Sequence, residues 1–430
     1  MAETEMSTTR DVATHAAEAS TTKAAAVELP GPTRAALMLL RLLRAAQPIS
    51  RAELARRLGV NRSTVTDTFK PLIASGVVRE EALQPTPGAA RVLGRPASAL
   101  SFNGDRDFFV GVNLGVRRTQ VGLATPGGEI LAEEEFDTPE KPADALTLVR
   151  ATVGRLRSRA DGRKLRFVGV SVPGPTDALR RSLLYAPHLG WNDVAVADAL
   201  RFGSDGGVSL SEEVVPVVVE NDATAAAVYE TRLRLRGADS GLMSDFILVR
   251  SGTGIGVGVI LGGEVYRGTG VGAGLAGEFG HMTIVAGGKP CACGNRGCWE
   301  RYASASAASS LYVGERVQLG GMSAPRYVEI VARAESGELR AQRTLERVGE
   351  YLGIGIGNVI MGLGVPRVIV SGRVVYGWRF IREPLHDAVA QSMASRLAGW
   401  SVEPGEPSGA GLGGALEVAA EGFVASMLGQ

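Results

Sequence analysis

The sequence predicts an α/β protein in two unequal parts: a small three-helix unit near the N-terminus, then a large body of open sheets covered by helices. Three observations carry this. Apolar residues recur at helical spacing between about 33 and 75. From about 105 onward, apolar runs of strand length alternate with helical stretches. The chain has 430 residues, 45% of them hydrophobic and 21% charged, which is more than one domain of ~150 residues and enough apolar surface for buried cores.

Residues 1–32 are rich in Ala, Thr and Glu, lack a sustained apolar period and end at Leu29-Pro30-Gly31-Pro32, which predicts a flexible tail. The first helix carries Ala36, Leu39, Leu40 and Leu43 and stops before Pro48. Ser50 with Glu53 three positions on is a capping box for the second helix, which buries Leu54 and Leu58. Gly59 and Val60 turn the chain, and Asn61 is placed to cap the third helix. That helix sets Val65, Phe69, Leu72 and Ile73 on one face, with Gly76 at its C-terminal cap.

The opposite face carries Arg62, Ser63, Thr64, Thr66, Asp67 and Lys70, small hydrogen-bonding groups and charges suited to phosphates and base edges. Val77-Val78-Arg79-Glu80 and Leu100-Ser101-Phe102 predict two short strands around a turn containing Arg91 and Gly94-Arg95-Pro96, a basic wing. The net charge of the whole chain is only +1, so any nucleic-acid face is local. Residues 31–96 hold eleven Arg or Lys against four Asp or Glu. Residues 33–103 therefore read as a winged helix-turn-helix that binds double-stranded DNA, with Arg62, Ser63, Thr64, Thr66, Lys70, Arg79 and Arg95 as candidate contacts. A protein-docking module is the alternative for this unit, and an arm that reaches into DNA is the alternative for the tail.

In the body, residues 104–430, a strand through Phe108–Asn113 runs into a turn at Gly115. A second strand (Gln120 to Ala124), a hairpin turn at Gly127-Gly128 and a third strand from Ile130 follow. Further strands are expected at Phe167–Val172, Val215–Val219, Phe246–Val249 and Val368–Val370. Ligands on such sheets bind beyond the carboxyl ends of the strands. Glu220-Asn221-Asp222 stands at one such end, where a carboxylate can accept hydrogen bonds from polyol hydroxyls or act as a general base. The same pair also suits an ordinary turn. The alternating glycines Gly252 to Gly258 fit either an anion-binding loop or a Gly-rich hairpin.

All three cysteines fall between 291 and 298, which excludes a disulfide scaffold. His281 with Cys291, Cys293 and Cys298 makes a closed Cys₃His set for structural Zn²⁺. The second imidazole nitrogen would be fixed as a donor toward a substrate hydroxyl, with Glu278 and Glu300 as acceptors beside it. No apolar run approaches the ~18 residues of a membrane span, and the N-terminus has no signal-peptide core. A soluble cytoplasmic protein with no membrane partner is expected.

These residues resemble the ROK family of sugar kinases and sugar-responsive repressors. The CxCGxxGCxE motif at Cys291–Glu300 and the ExGH at Glu278–His281 are specific to it. Asn221-Asp222, the Gly252–Gly258 loop, Pro173-Gly174 and Gly190-Trp191 are similar to further family elements, and Gly94-Arg95-Pro96 is similar to one found after the wing of the repressor members. The resemblance implies a two-lobed, actin-like ATPase fold with sugar bound in the cleft by Asn221, Asp222, Glu278, His281 and Glu300. Asp222 is the kinase-base position. It also implies a homodimer or homotetramer.

The pattern is broken on the nucleotide side. Kinases of the family open with Asp-x-Gly-Gly-Thr-Lys, and here Asn113-Leu114-Gly115-Val116-Arg117-Arg118 stands in that place. The amide is a weak Mg²⁺ ligand, and phosphoryl transfer depends on metal and positioning. The adenosine turn reads Ser371-Gly372-Arg373, and His188 replaces a frequent Asn. The expectation is a non-enzymatic regulator, most simply a repressor of carbohydrate uptake or metabolism genes, that binds a sugar or sugar phosphate and operator DNA. The rivals are an ATP-dependent sugar kinase with a fused DNA-binding domain and a fixed DNA-binding scaffold.

Overall fold

The computed structural model describes residues 31–82, 98–208, 214–237, 245–272, 274–314, 324–397 and 399–429. The expected tail up to residue 30, and the wing turn with Arg91 and Arg95, lie outside the described residues. In the N-terminal unit, Leu39, Leu40 and Leu43 of α1 (Gly31–Ala46) are fully buried with Leu54 of α2 (Arg51–Leu58) and Val65 and Phe69 of α3 (Arg62–Ala74). A short strand β1 (Ile49–Ser50) joins β2 (Val78–Ala82) and β3 (Ser98–Phe102) in an antiparallel sheet of order β1-β3-β2. The two wing strands were anticipated and β1 was not; two residues are too few to carry a period.

The capping chemistry differs in two places. Ser50 Oγ accepts from the Glu53 N–H at 3.1 Å, but the Glu53 carboxylate turns to Arg56 at 2.6 Å, so only the Ser50 half of the expected box is seen. Asn61 starts α3 without a side-chain cap bond. The C-terminal end is as expected. Gly76 (φ +70°) closes α3 with Gly76 N–H on Ile73 O and Val77 N–H on Leu72 O, the paired bonds of a Schellman turn.

The body holds two five-stranded sheets. In the first, β4 (Asp107–Leu114), β5 (Arg118–Ala124) and β6 (Ile130–Asp137) form an antiparallel meander. After α4 (Pro142–Leu156), β7 (Lys164–Val172) pairs parallel to β4. A hairpin of β8 (Leu183–Ala186) and β9 (Trp191–Val194) and the short α5 (Val196–Ala199) lead to β10 (Val217–Asn221), parallel to β7. Helix α6 (Asp222–Arg236) follows without a break.

The second sheet repeats this plan with β11 (Phe246–Ser251), β12 (Ile255–Leu261) and β13 (Glu264–Val265) as the meander. Helices α7 (Glu300–Ala303), α8 (Ala305–Val313), α9 (Tyr327–Glu335) and α10 (Leu339–Leu363) precede β14 (Arg367–Ser371). Then come α11 (Trp378–Ala390), β15 (Ser401–Pro404) and α12 (Ala410–Ser426). The orders β10-β7-β4-β5-β6 and β13-β12-β11-β14-β15 are one topology used twice. Every residue of β4 is buried, which is why it reads as a continuous apolar run rather than an alternation.

Helix α6 packs on β11 and β12, while α12 packs on β4, β7 and α6. The two helices thus lie between the sheets. Helix α1 docks on both, and Leu39 and Leu40 share one buried cluster with Phe109, Leu235, Leu412, Leu416 and Phe423. At the centre of this junction Glu417 is 3% exposed. It accepts from Arg44 of α1 at 2.8 Å and from Arg232 of α6. Arg57 of α2 donates to the Leu235 and Gly237 carbonyls, and Arg41 grips both Glu264 and Glu421 at 2.6 Å.

Burial alone would raise the Glu417 pKa, but the Arg44 and Arg232 charges and hydrogen bonds outweigh it and hold the carboxyl below its ordinary value. The stabilisation is therefore complete above the unfolded-state pKa and is lost as pH falls through the folded-state value. Glu417→Gln, which strands two buried cations, is expected to destabilise the chain by about 3–5 kcal/mol in denaturant unfolding at neutral pH. The gap to wild type should narrow as pH drops below ~4; a pH-independent gap would show that the charge is not what matters.

Candidate functional site

A cleft of about 790 Å³ opens between the two sheets. It is lined by residues at or just beyond the carboxyl ends of β4 (Asn113), β10 (Asn221), β11 (Gly252) and β14 (Gly372), where ligands bind in sheets of this kind. Asn221, Asp222, Glu278, His281 and Glu300 all face this one cleft.

Asn221 is committed within the fold. Its Oδ1 caps α6 by accepting from the Ala223 and Thr224 N–H groups at 2.9 and 3.2 Å, and its Nδ2 donates to Gly174 O at 3.2 Å. The cap places Asp222 at the helix N-terminus. The neighbouring Glu220 is buried and taken by Arg180 and Arg267 at 3.0 and 2.8 Å.

Three carboxylates share the acidic end. Glu300, from α7, lies 3.6 Å from His188 Nε2 and 3.1 Å from Cys291 Sγ. Burial would raise its pKa, yet hydrogen bonds from His188 and Cys291 and the two histidine charges hold it below its usual range. The Glu300 hydrogen bond in turn raises His188. Glu278 is pushed up to about 7 by burial and by the Asp222 and Glu300 charges. Gly254 leaves the room these groups need: a Cβ there would meet Glu300 Oε2 at 2.4 Å.

His281, Cys291, Cys293 and Cys298 bring four donor atoms within 4.8 Å of one another. Cys293 and Cys298 sulfurs are 3.7 Å apart, and Cys291 Sγ is 3.6 Å from His281 Nδ1. A tetrahedral ion with bonds of ~2.3 Å to sulfur and ~2.0–2.1 Å to nitrogen sets edges of ~3.8 and ~3.6 Å. The donors fit such an ion. With Nδ1 toward the sulfurs, His281 Nε2 points to Glu278 Oε2, 3.7 Å away.

The other end of the cleft is basic, and the sequence reading missed part of it. Arg250 of β11 pairs with Asp222. The signal was present: an arginine follows the apolar, buried run Phe246 to Val249 within one strand. Arg117 and Arg373 stand nearby, and Arg373 Nη2 is 3.1 Å from Thr253 Oγ1 in the Gly-rich loop. Gly252–Gly254 is the hairpin turn between β11 and β12 and lines the cleft, while Gly256 and Gly258 lie within β12. Asn113 is buried and locked by Gln120 at 3.0 Å and Ser171 at 3.3 Å.

On α3, Arg62, Ser63, Asp67 and Lys70 are exposed, and Thr64 and Thr66 are half-buried. Arg79 is paired with Asp105 at 2.8 Å. Among the described residues no helix is long and apolar enough to cross a membrane.

Fold and cleft together define a two-lobed, sugar-kinase-like body fused to a helix-turn-helix. Residues 109–421 match the ROK family and residues 32–81 match a helix-turn-helix domain. The chain belongs to the ROK family. It is 29% identical over 365 residues to the xylose repressor of Bacillus subtilis (strain 168), covering 84% of this chain and 87% of that protein. A crystal structure of a ROK family transcriptional regulator, a homolog of the E. coli MLC protein, superposes with a TM-score of 0.71 at 23% identity over 92% of this chain and 98% of that one. The ROK family glucokinase from Streptomyces griseus, solved with glucose and AMPPNP, aligns at 27% identity and a TM-score of 0.58 over 73% of this chain and 99% of that one.

Elemental analysis of the purified chain is expected to find one tetrahedrally held ion, and Cys293→Ser is expected to lose it. Unchanged metal content in that variant would show that the four donors do not act as a set.

Proposed function

We propose that the chain is a sugar-responsive transcriptional regulator, most simply a repressor of carbohydrate uptake or metabolism genes, whose kinase-like body senses a sugar rather than phosphorylating it. One observation carries this reading. A helix-turn-helix with an exposed polar third helix shares one buried cluster with a body whose cleft holds three carboxylates at one end and Asn113 and three arginines at the other. Arg250 pairs with Asp222 through Oδ2. Asp222, Glu278 and Glu300 would accept hydroxyl hydrogen bonds from the sugar. Asn221 serves by capping α6 and fixing Asp222.

The Cys₃His set suits Zn²⁺ as a structural ion, held by His281, Cys291, Cys293 and Cys298. Such an ion leaves no open position; it fixes the His281 ring so that Nε2 can donate into the cleft.

Helix α6 supplies the link to DNA. It has 15 residues, a rod of ~22 Å, with Asp222 at its cleft end. Near its other end Arg232 meets Glu417, the partner of Arg44. Cleft closure that shifts α6 would shift the winged helix with it. In a homodimer or homotetramer on a two-fold operator this changes the spacing of the reading heads. Sugar must then favour one state, and about 1.4 kcal/mol of difference gives a tenfold change in operator affinity. Arg62 and Lys70 are the foremost phosphate contacts, with Ser63, Thr64 and Thr66 toward bases; Arg79 already has its partner in Asp105.

The retained Gly252–Gly258 loop and Asp222 favour the second reading, a kinase with a fused DNA-binding domain. It requires sugar-dependent ATP turnover. Gel shifts on the chain's own upstream DNA across a sugar panel, with an ATP-turnover assay on the same panel, decide between them. We expect a specific shift released by one sugar and no turnover; a sugar with no effect on operator affinity would sink the sensing reading. Arg62→Ala and Lys70→Ala should each weaken DNA binding across sequences and lower the salt slope by about one, with sugar affinity unchanged.

A further inference from the structure

The contact between the helix-turn-helix and the body encloses a second cavity, of about 200 Å³, and none of the residues around it lines the cleft. Its walls come from α1, α6, α12, the β12–β13 hairpin and the turn before β8. The DNA-reading unit and both lobes thus meet around one space. Part of the wall is apolar, with Leu37 of α1, Val228 of α6, Ile260 of β12 and Val265 of β13.

The rest is charged, and the charges do not balance. Arg41, Arg44, Arg180, Arg232 and Arg267 line the cavity against Glu264, Glu417 and Glu421. Glu220 stands behind Arg180 and Arg267 at 3.0 and 2.8 Å, so one positive charge is left over among these groups. Arg41 holds two carboxylates, Glu264 and Glu421, for itself. The other four guanidiniums share the remaining two: Arg44 and Arg232 on Glu417, Arg180 and Arg267 on Glu220. The shortage shows on one arginine of each pair. Arg180 Nε and Arg232 Nε are buried, and among the described residues neither finds a hydrogen-bond partner. Burial outweighs Glu220 and holds Arg180 below its ordinary value, with Arg267 adding to the effect; burial likewise outweighs Glu417 and holds Arg232 down, with Arg44 adding to it.

The backbone delivers Arg180 at a cost. Its φ is +57°, a left-handed conformation that suits glycine or asparagine and is kept by other residues only where the surroundings hold it. Here Asp177 O takes the Arg180 N–H and Arg180 O takes the Val219 N–H, each at 2.9 Å. We propose that this junction cavity is a binding site, separate from the cleft, for a small carboxylic acid with an apolar body, its carboxylate received by Arg180 and Arg232. A guanidinium matches a carboxylate in fork geometry, and a monoanion cancels the single excess charge where a phosphate dianion would reverse it. A cavity of ~150 Å³ takes up benzene, so this one suits an acid of about benzoate's size. The ligand touches α1 as well as the body, and therefore favours the docked position of the DNA-reading unit. The site stands whatever the cleft binds.

Calorimetry on the full chain tests this, with benzoate and hexanoate as probes, benzamide as the uncharged isostere and inorganic phosphate as the rival anion. One of the two acids is expected to bind saturably, and benzamide and phosphate to bind about tenfold more weakly or worse. Arg180→Gln should weaken the acid about tenfold; Arg267 stays on Glu220 in that variant, so no carboxylate is stranded. Arg180→Lys, which keeps the charge, should retain part of the affinity. Val265→Phe, which fills the space and leaves every charge in place, should abolish binding. Failure of both acids to bind, or equal affinity in wild type, Arg180→Gln and Val265→Phe, overturns the site. Benzamide or phosphate bound as tightly as the acid overturns the ligand class. Amide exchange in α1 is expected to slow when the acid is added; an acid that binds and leaves α1 exchange unchanged overturns the coupling to the DNA-reading unit.

Discussion

Glu417, buried between Arg44 and Arg232, is the interaction on which the arrangement of the whole molecule depends. Each buried charge costs several kcal/mol to remove from water, recovered only when geometry and pairing are complete. The group therefore holds together only in one register of α1, α6 and α12. Apolar packing around it, from Leu39 and Leu40 to Leu416 and Phe423, would tolerate sliding; the three charged groups do not. The orientation of the helix-turn-helix is thus set by the helices that lie between the two sheets rather than by a linker.

The same helix, α6, begins in the cleft, and this joins two demands on one element. Its cap is Asn221 and its first residue is Asp222, while Leu235 and Gly237 at its far end accept from Arg57. A flexible connection at either end would dissipate any displacement. Here the cleft end is fixed by two bonds to the cap oxygen and the distal end by buried guanidinium contacts. The cleft is itself divided, with Glu278, Glu300 and Asp222 at one end and the arginines at the other. A kinase neutralises phosphoryl charge with a metal that arrives with its substrate, whereas fixed guanidiniums are in place whether or not a ligand is bound.

Much of this was legible in the sequence because the signals are local. The Cys₃His cluster is wrapped by turns within eighteen residues, and the three helices of the N-terminal unit carry their own periods and the Gly76 stop. Asn221 was harder. An Asn-Asp pair after a strand suits a ligand and a cap equally, and the side chain proves to be a cap with both polar atoms engaged. Glu53 likewise had two uses, and the nearby Arg56 won its carboxylate. Long-range pairings leave no spacing to read: Arg44 and Glu417 lie 373 positions apart. The doubled sheet topology was hidden for a related reason, since the β8–β9 hairpin interrupts the first half and a bundle of helices interrupts the second.

Arg250 shows how far such a reading can be pushed. An arginine within a buried strand is costly unless something receives it, and that cost is visible in one sequence even when the partner is not. The partner turns out to be Asp222, the first residue of α6. The guanidinium binds that carboxylate through Oδ2 and carries a positive charge to the boundary between the acidic and basic ends of the cleft.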